Sequence, residues 1–418
     1  MDIYMKGFPK GIDWDVVLHR IAIEVACGKR LTKNMLFGLF YHTDYSLNFQ
    51  ENKNSKILFF ESYNGRANFV DYLKTIASLV PSDVIIEKRG KRELAILSGL
   101  KYTFAYIPFW MRTLNKMFRG NKDIKRLSLY YLVGTHRFYK ELDPFLKKRQ
   151  EGAYNLFVAF YDSMTKEAFL AQLMKLQGVT TATLQHGAFT AQRNNQLVNS
   201  GVELKTINSD YFLCWNKFTV DEALKEGVDA NKCIITGIVG FAKYDNRITC
   251  KEINNGMFGV VIGHPTFEKE NVLLIESANI LAKAKGLKYY LKLHPAYKED
   301  YFNELVNHDY YVGNVKKGIP MLDYANSVEF SIVGASSVFI EMVYLNHKVI
   351  RYSSGEIVDK WRDIKLGNYY SKSVDIVNAY ELMCSNKSDE ELFDYLCTVE
   401  DVKSSYRSFF EKYNTSKT

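Results

Sequence analysis

Short apolar runs, each bounded by turn-forming residues, recur along the chain, and most are followed by a stretch with helical period. The first clear run is Lys56-Ile57-Leu58-Phe59-Phe60-Glu61. It gives way to the turn Ser62-Tyr63-Asn64-Gly65-Arg66, and a helix is predicted over 68–79. Helical period also marks 12–25. The unit repeats: strand over 155–161, helix over 164–176 with Asp162-Ser163 as its cap and Gly178 as its stop, then strands over 181–185 and 211–215. Thr219 and Glu222 read as a capping box for a short helix that Gly227 ends, and a strand over 233–236 closes this half.

The polar stretch 243–255 reads as a linker between domains. A second series follows it. Strands are predicted over 258–262, 288–293, 329–333 and 348–352. Helices are predicted over 270–285 and 337–345, with an amphipathic helical tail after Ser388. Strands that alternate with helices through short loops argue for parallel sheets covered on both faces. The expected fold is α/β with two Rossmann-like domains and an interdomain cleft between them. The first spans 1–245 and is expected to take the acceptor. The second, 246–395, is expected to take a nucleotide donor, and 396–418 forms a last helix packing back on the first domain.

Length agrees, since 418 residues exceed what one core supports. A net charge of +8 suits an anionic partner, and it also suits solubility alone. None of the six cysteines forms a CxxC or a zinc-spaced cluster, which points to a reducing compartment. No run reaches the roughly 18 uncharged apolar residues of a spanning helix. The expected location is cytoplasmic, at most peripheral at the inner face of the plasma membrane. A basic-aromatic stretch over 101–126 fits either an anionic bilayer surface or an amphipathic helix packed on the first domain.

Ligands in open parallel sheets sit beyond the carboxyl ends of strands, so the residues there are the candidates. Lys292-Leu293-His294-Pro295 places His294 at a strand end, where it can hold a phosphate oxygen or protonate a leaving phosphate; local capping is the structural alternative. Gly334-Ala335-Ser336-Ser337 opens a helix after a strand. Its small side chains, hydroxyls and free N–H groups suit a phosphate, and Glu341 one turn later suits ribose hydroxyls. Gln185-His186-Gly187 follows a first-domain strand, and a neutral imidazole there can take the proton of an attacking hydroxyl. His264-Pro265-Thr266 gives a weaker donor-side signal, and Gly65 and Arg66 a weaker acceptor-side one. No DxD-like pair stands at a strand end. No metal, cofactor or nucleic-acid partner is expected; the nucleotide sugar is a substrate.

The order Leu184-Gln185-His186-Gly187, Lys292-Leu293-His294-Pro295, Ser336-Ser337 resembles GT-B glycosyltransferases of bacterial surface and capsular polysaccharide synthesis. It is similar to bacterial sialyltransferases, which carry an HP motif and a serine pair. It is also similar to CDP-glycerol glycerophosphotransferases, which share an HG histidine and a KLHP stretch. The resemblance covers roughly 56–352. Gln185 stands where sialyltransferases have an acidic residue and where the glycerophosphotransferases have tryptophan. Glu341 stands in place of the latter's aspartate.

The resemblance implies a GT-B enzyme that moves a sugar from a CMP-, CDP- or UDP-linked donor to a glycan or lipid-linked acceptor. His186 would serve as base and His294 as donor ligand or acid. Polyol-phosphate transfer is the alternative within this class. A nucleotide-sugar 2-epimerase is a second class, which needs cleft carboxylates in which the strand ends read as poor. A non-catalytic nucleotide-binding protein is the third.

Overall fold

The computed structural model describes residues 10–26, 42–62, 67–93, 122–149, 153–191, 199–355, 359, 361–385 and 390–414. Its first half runs α1 (Trp14–Ala26), β1 (His42–Gln50), β2 (Ile57–Glu61), α2 (Ala67–Ala77), β3 (Asp83–Glu93), α3 (Lys122–Arg149), β4 (Leu156–Ala159), α4 (Thr165–Leu176), β5 (Thr180–Leu184), α5 (Asn199–Lys205), β6 (Tyr211–Cys214), α6 (Lys217–Lys225) and β7 (Cys233–Ile235). The sheet order is β1-β3-β2-β4-β5-β6-β7, parallel except where β1 runs antiparallel to β3.

β2 reads as an unbroken apolar run because both its faces are covered. Leu58 and Phe60 join the core formed with α1, α3 and α4, while Ile57 and Phe59 join the core on the opposite face. β1 and β3 escaped the sequence reading. β1 is mostly polar, and β3 ends in Glu87-Lys88-Arg89-Gly90-Lys91-Arg92-Glu93, so neither shows the apolar run of a central strand. Two predicted caps also differ. Asn216, not a Thr219–Glu222 box, caps α6, with its Oδ1 accepting from Thr219 N at 2.9 Å. Asp162 instead accepts from the backbone of Asn208 (2.9 Å) and Ser209 (2.6 Å), tying the turn after β4 to the strand-entry loop of β6.

The second half contains β8 (Met257–Val261), α7 (Glu268–Lys285), β9 (Lys288–Lys292), β10 (Tyr311–Asn314), α8 (Met321–Ala325), β11 (Phe330–Val333), α9 (Val338–Tyr344), β12 (Lys348–Tyr352), β13 (Asn368–Tyr370), α10 (Ile376–Ser385), α11 (Glu390–Cys397) and α12 (Val402–Glu411). Its six strands are all parallel, in the order β10-β9-β8-β11-β12-β13. α7 ends at Gly286, whose φ of 66° is the left-handed C-cap conformation that favours glycine.

Aromatic contacts join the halves. Phe241 stacks on Tyr344 at 4.1 Å, and Phe218 lies 5.4 Å from Trp361. α11 packs against both α6 and α9. α12 lies on the first sheet, with Phe410 5.2 Å from Phe59 and the Tyr406 hydroxyl donating to Gly237 O at 3.2 Å. Among the described residues no helix is long and apolar enough to cross a membrane. Most of the basic-aromatic stretch 101–126 lies outside the described residues.

Candidate functional site

Each sheet has one point at which its connections reverse direction. β2 connects through α2 to β3 on one side, while β4 pairs on the other. β8 connects through α7 to β9, while β11 pairs on its other side. Crevices open at the carboxyl ends flanking such points. They therefore lie at Glu61-Ser62 and 160–163 in the first sheet, and at 262–264 and 334–337 in the second.

His186 follows β5, beside the first of these points. Its ring is enclosed by Tyr161 (4.1 Å between centroids), Phe189 (5.0 Å), Phe69 (5.5 Å) and Phe160 (6.0 Å), and its side chain is 10% exposed. The enclosure is tighter than the open strand end expected from sequence. One edge of the ring is polar. Glu203 Oε2, from α5, stands 4.0 Å from His186 Nε2, close enough for an ion pair with a protonated ring. The other carboxylate oxygen accepts from the Tyr161 hydroxyl. Arg20 lies 3.8 Å from that same oxygen, donates to Tyr161 Oη and Ser163 Oγ, and sits over the Tyr161 ring. Burial, and then Glu203, push the Tyr161 phenol upward, so it stays a donor.

Gln185, expected on the acceptor side, is fully buried and its amide is consumed internally. Its Nε2 donates to Gly187 O (2.8 Å) and Thr219 Oγ1 (2.9 Å), and its Oε1 accepts from Trp215 N (2.6 Å). It fixes the turn that carries His186 and cannot reach a substrate. Gly187 has open space around the place a Cβ would occupy. Gly65 and Arg66 lie outside the described residues.

The sequence reading missed a group of buried carboxylates. Glu61, Glu87 and Glu167 are each 2% exposed or less. Glu167 accepts from Ser62 N (2.9 Å) and Ser62 Oγ (2.6 Å), and Lys166 pairs with Glu87. Both oxygens of Glu61 are buried without a hydrogen-bond partner. Burial, then the neighbouring charges of Glu167 and Glu87, push Glu61 up to about 8. Burial lifts Glu167 to about 7 against the Ser62 hydrogen bonds. The expectation that this end of the first sheet is poor in carboxylates is therefore corrected. Glu87 lies within β3 and Glu167 in α4, and only the fold brings them to the end of β2.

On the second sheet, His264 and His294 meet edge to face with ring centroids 5.0 Å apart. Thr266 adds its Oγ1 at 3.0 Å from His264 Nδ1, and Pro295 follows His294 in the turn after β9. Asn271 clamps the preceding Gly263, accepting from its N–H (2.8 Å) and donating to its carbonyl (3.2 Å). Lys292 is half-buried with Nζ 5.8 Å from the Tyr324 ring centroid; desolvation lowers its pKa and Glu341 opposes the shift. Glu341 is half-buried too, pushed up to about 7 by desolvation against the pull of Lys292 and Lys243.

The Gly334–Ser337 loop departs from the expected phosphate cradle. The Ala335 N–H is already taken by Glu270 Oε1 at 2.5 Å. Ser336 N bonds Gly334 O at 2.8 Å, and Ser336 O accepts from Trp361 Nε1 at 3.3 Å. α9 has seven residues and Ser337 caps it without a side-chain bond, so its dipole is smaller than the predicted helix would give. The structure thus gathers His264, Thr266 and His294 in one place and couples Lys292 to Glu341. The serine loop is wired to Glu270 and Trp361.

No protein-family profile matches the chain. No curated protein matches it either. Solved structures do. The UDP-GlcNAc 2-epimerase of Methanocaldococcus jannaschii superposes with a TM-score of 0.51 at 11% identity, covering 85% of this chain and 99% of that one. The S. aureus MnaA–UDP co-structure gives 0.50 at 13% identity, covering 85% and 94%. At such identity a likeness speaks for architecture alone. Together with the two parallel sheets and their paired switch points, it establishes that this chain has the GT-B fold, two α/β domains each built on a parallel sheet.

Proposed function

We propose that the protein is a glycosyltransferase acting on a nucleotide-activated sugar, with the second domain holding the donor phosphate and the first presenting the acceptor. The observation that carries the reading is the imidazole pair His264–His294 at adjacent strand ends, beside the second sheet's reversal point. In this reading Lys292 and the Ser336 and Ser337 hydroxyls, rather than the occupied amides of their loop, extend the donor side, and Glu341 accepts from ribose hydroxyls. His186 is the base for the acceptor hydroxyl, and Glu203 stabilises the imidazolium that proton transfer creates. The His186 ring must then be reached through the aromatic residues around it, a geometry that suits a base kept dry until the acceptor arrives. In this reading the acceptor is a glycan or a lipid-linked glycan of the bacterial surface. The protein works in the cytoplasm without a metal, at most touching an anionic membrane.

One observation favours a second reading. The carboxylates Glu61, Glu87 and Glu167 supply the proton-handling groups that a nucleotide-sugar 2-epimerase needs. Product analysis separates the readings. A panel of UDP, CMP, CDP and GDP is first screened for thermal stabilisation. The matching nucleotide sugar is then incubated with and without acceptor glycans in D2O. Transfer predicts free nucleotide and an extended acceptor only when acceptor is present. Epimerisation predicts a changed, deuterium-labelled sugar still joined to its nucleotide without acceptor. An unchanged nucleotide sugar in both arms rejects both readings.

A further inference from the structure

Trp361, in the segment after β12, is buried where the two halves of the chain meet. Its indole touches one ring from each half, Phe218 of α6 and Phe339 of α9, both 5.4 Å away between centroids. Its Nε1–H donates to Ser336 O at 3.3 Å. Two buried charged side chains clamp its backbone. Arg351 donates to Trp361 O and to Ile364 O (2.6 Å), and Asp359 Oδ1 accepts from Trp361 N at 2.9 Å. Charges are unfavourable to bury unless they are well bonded, and here their bonds fix the place of one indole.

Helix α6 carries the contact onward. Phe218 and Thr219 are consecutive in its first turn. Phe218 meets Trp361, and Thr219 Oγ1 accepts from Gln185 Nε2 at 2.9 Å. Gln185 Nε2 also donates to Gly187 O at 2.8 Å, and Gln185 O accepts from Trp215 Nε1 at 2.9 Å. Gln185 and Gly187 flank His186 in sequence. A continuous line therefore runs from the Ser336 loop to the turn that carries the imidazole. Its members Trp361, Phe218, Thr219 and Gln185 are each 2% exposed or less. A close-packed interior has little void to absorb a displacement, so movement at one end is passed to the other.

We propose that Trp361 is a positioning residue that couples the Ser336-Ser337 loop to the turn carrying His186, so that a ligand on the loop adjusts the imidazole across the domain interface. The coupling stands on these contacts. Naming the ligand a nucleotide donor and His186 a base rests on the transferase reading.

Each end of the line carries an indole N–H, so the test is nitrogen–proton NMR of the tryptophan side chains in the full chain. Signals are assigned with Trp14→Phe, Trp215→Phe and Trp361→Phe. Trp361 reports the loop and Trp215 the His186 turn, while Trp14, in the core on the other face of the first sheet, is the control. Gly334→Ala disturbs the loop without any ligand, because a Cβ there would lie 1.9 Å from Glu270 Oε1. Glu270→Ala, which removes the Ala335 hydrogen bond, replaces it where Gly334→Ala does not fold. Either change is expected to shift the Trp361 and Trp215 signals and leave Trp14 in place. UDP, or whichever of CMP, CDP and GDP binds, is expected to shift the same pair. Two cuts then break the line. In Trp361→Phe, which loses the bond to Ser336 O, Trp215 should no longer respond to the loop change. In Phe218→Leu, Trp361 should still respond and Trp215 should not. A Trp215 signal that ignores the loop change in the otherwise wild-type chain overturns the proposal. So does one that still responds in Trp361→Phe, which would route the link through α11, since that helix also packs on α6 and α9. Failure of every nucleotide to move Trp361 overturns the donor reading of the loop, and the ligand-free arm still decides the coupling.

Discussion

Glu270 Oε1 accepts the Ala335 N–H at 2.5 Å, and it does so across the space left by a missing side chain at Gly334. A Cβ built there would lie 1.9 Å from that oxygen. Gly334→Ala must therefore expel the carboxylate and leave the Ala335 amide unpaired. The cost is expected to be roughly 1–3 kcal/mol. Glu270→Ala alone removes the same hydrogen bond, so the two changes should not add. A double-mutant cycle read by urea unfolding is expected to give a coupling of about 1 kcal/mol or more. Simple additivity would show that the contact does not hold the loop.

A tighter constraint lies within the second sheet. A Cβ at Gly259, in the centre of β8, would fall 1.8 Å from the Tyr324 hydroxyl. That hydroxyl is bonded to Ser331 Oγ at 3.1 Å, which is bonded in turn to His347 Nε2 at 3.0 Å, and Tyr324 is fully buried. Unlike Glu270, Tyr324 has no solvent to swing into. Gly259→Ala is expected to cost roughly 3 kcal/mol or more, measured by denaturant unfolding. Tyr324→Phe in the same chain removes the hydroxyl but leaves ring atoms in the way, and should restore only part of the loss.

The sequence was most readable where one residue's environment is set by its own strand. Ile57–Phe60 and Phe258–Val261 are buried along their whole length, so their apolar runs showed directly, and the histidines ending β8 and β9 could be found by looking one step beyond such runs. Strand β1 gave no such run because its residues are mostly polar. Glu203 was invisible for another reason. It lies on a seven-residue helix, 17 positions beyond His186, and only the fold brings it to the imidazole. The same holds for Glu61, Glu87 and Glu167, whose partners come from three separate elements. Gln185 misled because a residue beside a candidate base looks like substrate contact, whereas its three side-chain bonds are all internal.

Glu61 makes a prediction about pH. Its ordinary value is 4.5 and its folded value is raised to about 8. Between those values the folded chain keeps a proton that the unfolded chain has lost. The stability linked to this group is fully present below 4.5 and is lost as pH rises through about 8, at no more than about 1.4 kcal/mol per pH unit. Glu61→Gln keeps the shape of the protonated form and cannot ionise. The variant is expected to match the wild type near pH 5 and to melt at a progressively higher temperature than it up to pH 8, with a constant difference above. Parallel pH profiles of the two melting curves would refute buried ionisation at Glu61.

The last prediction separates the base from its support. If His186 accepts a proton as the acceptor attacks, its ring becomes positive while Phe69, Phe160, Tyr161 and Phe189 keep water away. A cation in such surroundings is costly unless an anion faces it. Glu203 is that anion, and Tyr161 and Arg20 hold its other oxygen so that Oε2 remains turned to the ring. Glu203→Gln keeps the side-chain length and removes the charge. It is expected to lower kcat by about 10²-fold, within the range for general base catalysis, with KM for the donor unchanged. An acid shift of the pH–rate profile is the distinguishing sign. Without the carboxylate, the ring loses its proton at lower pH, so the ascending limb moves toward acid. Glu203→Asp should recover part of both effects. A variant that lost activity with the limb in place would show Glu203 to be a structural support of α5 rather than a partner of the imidazole.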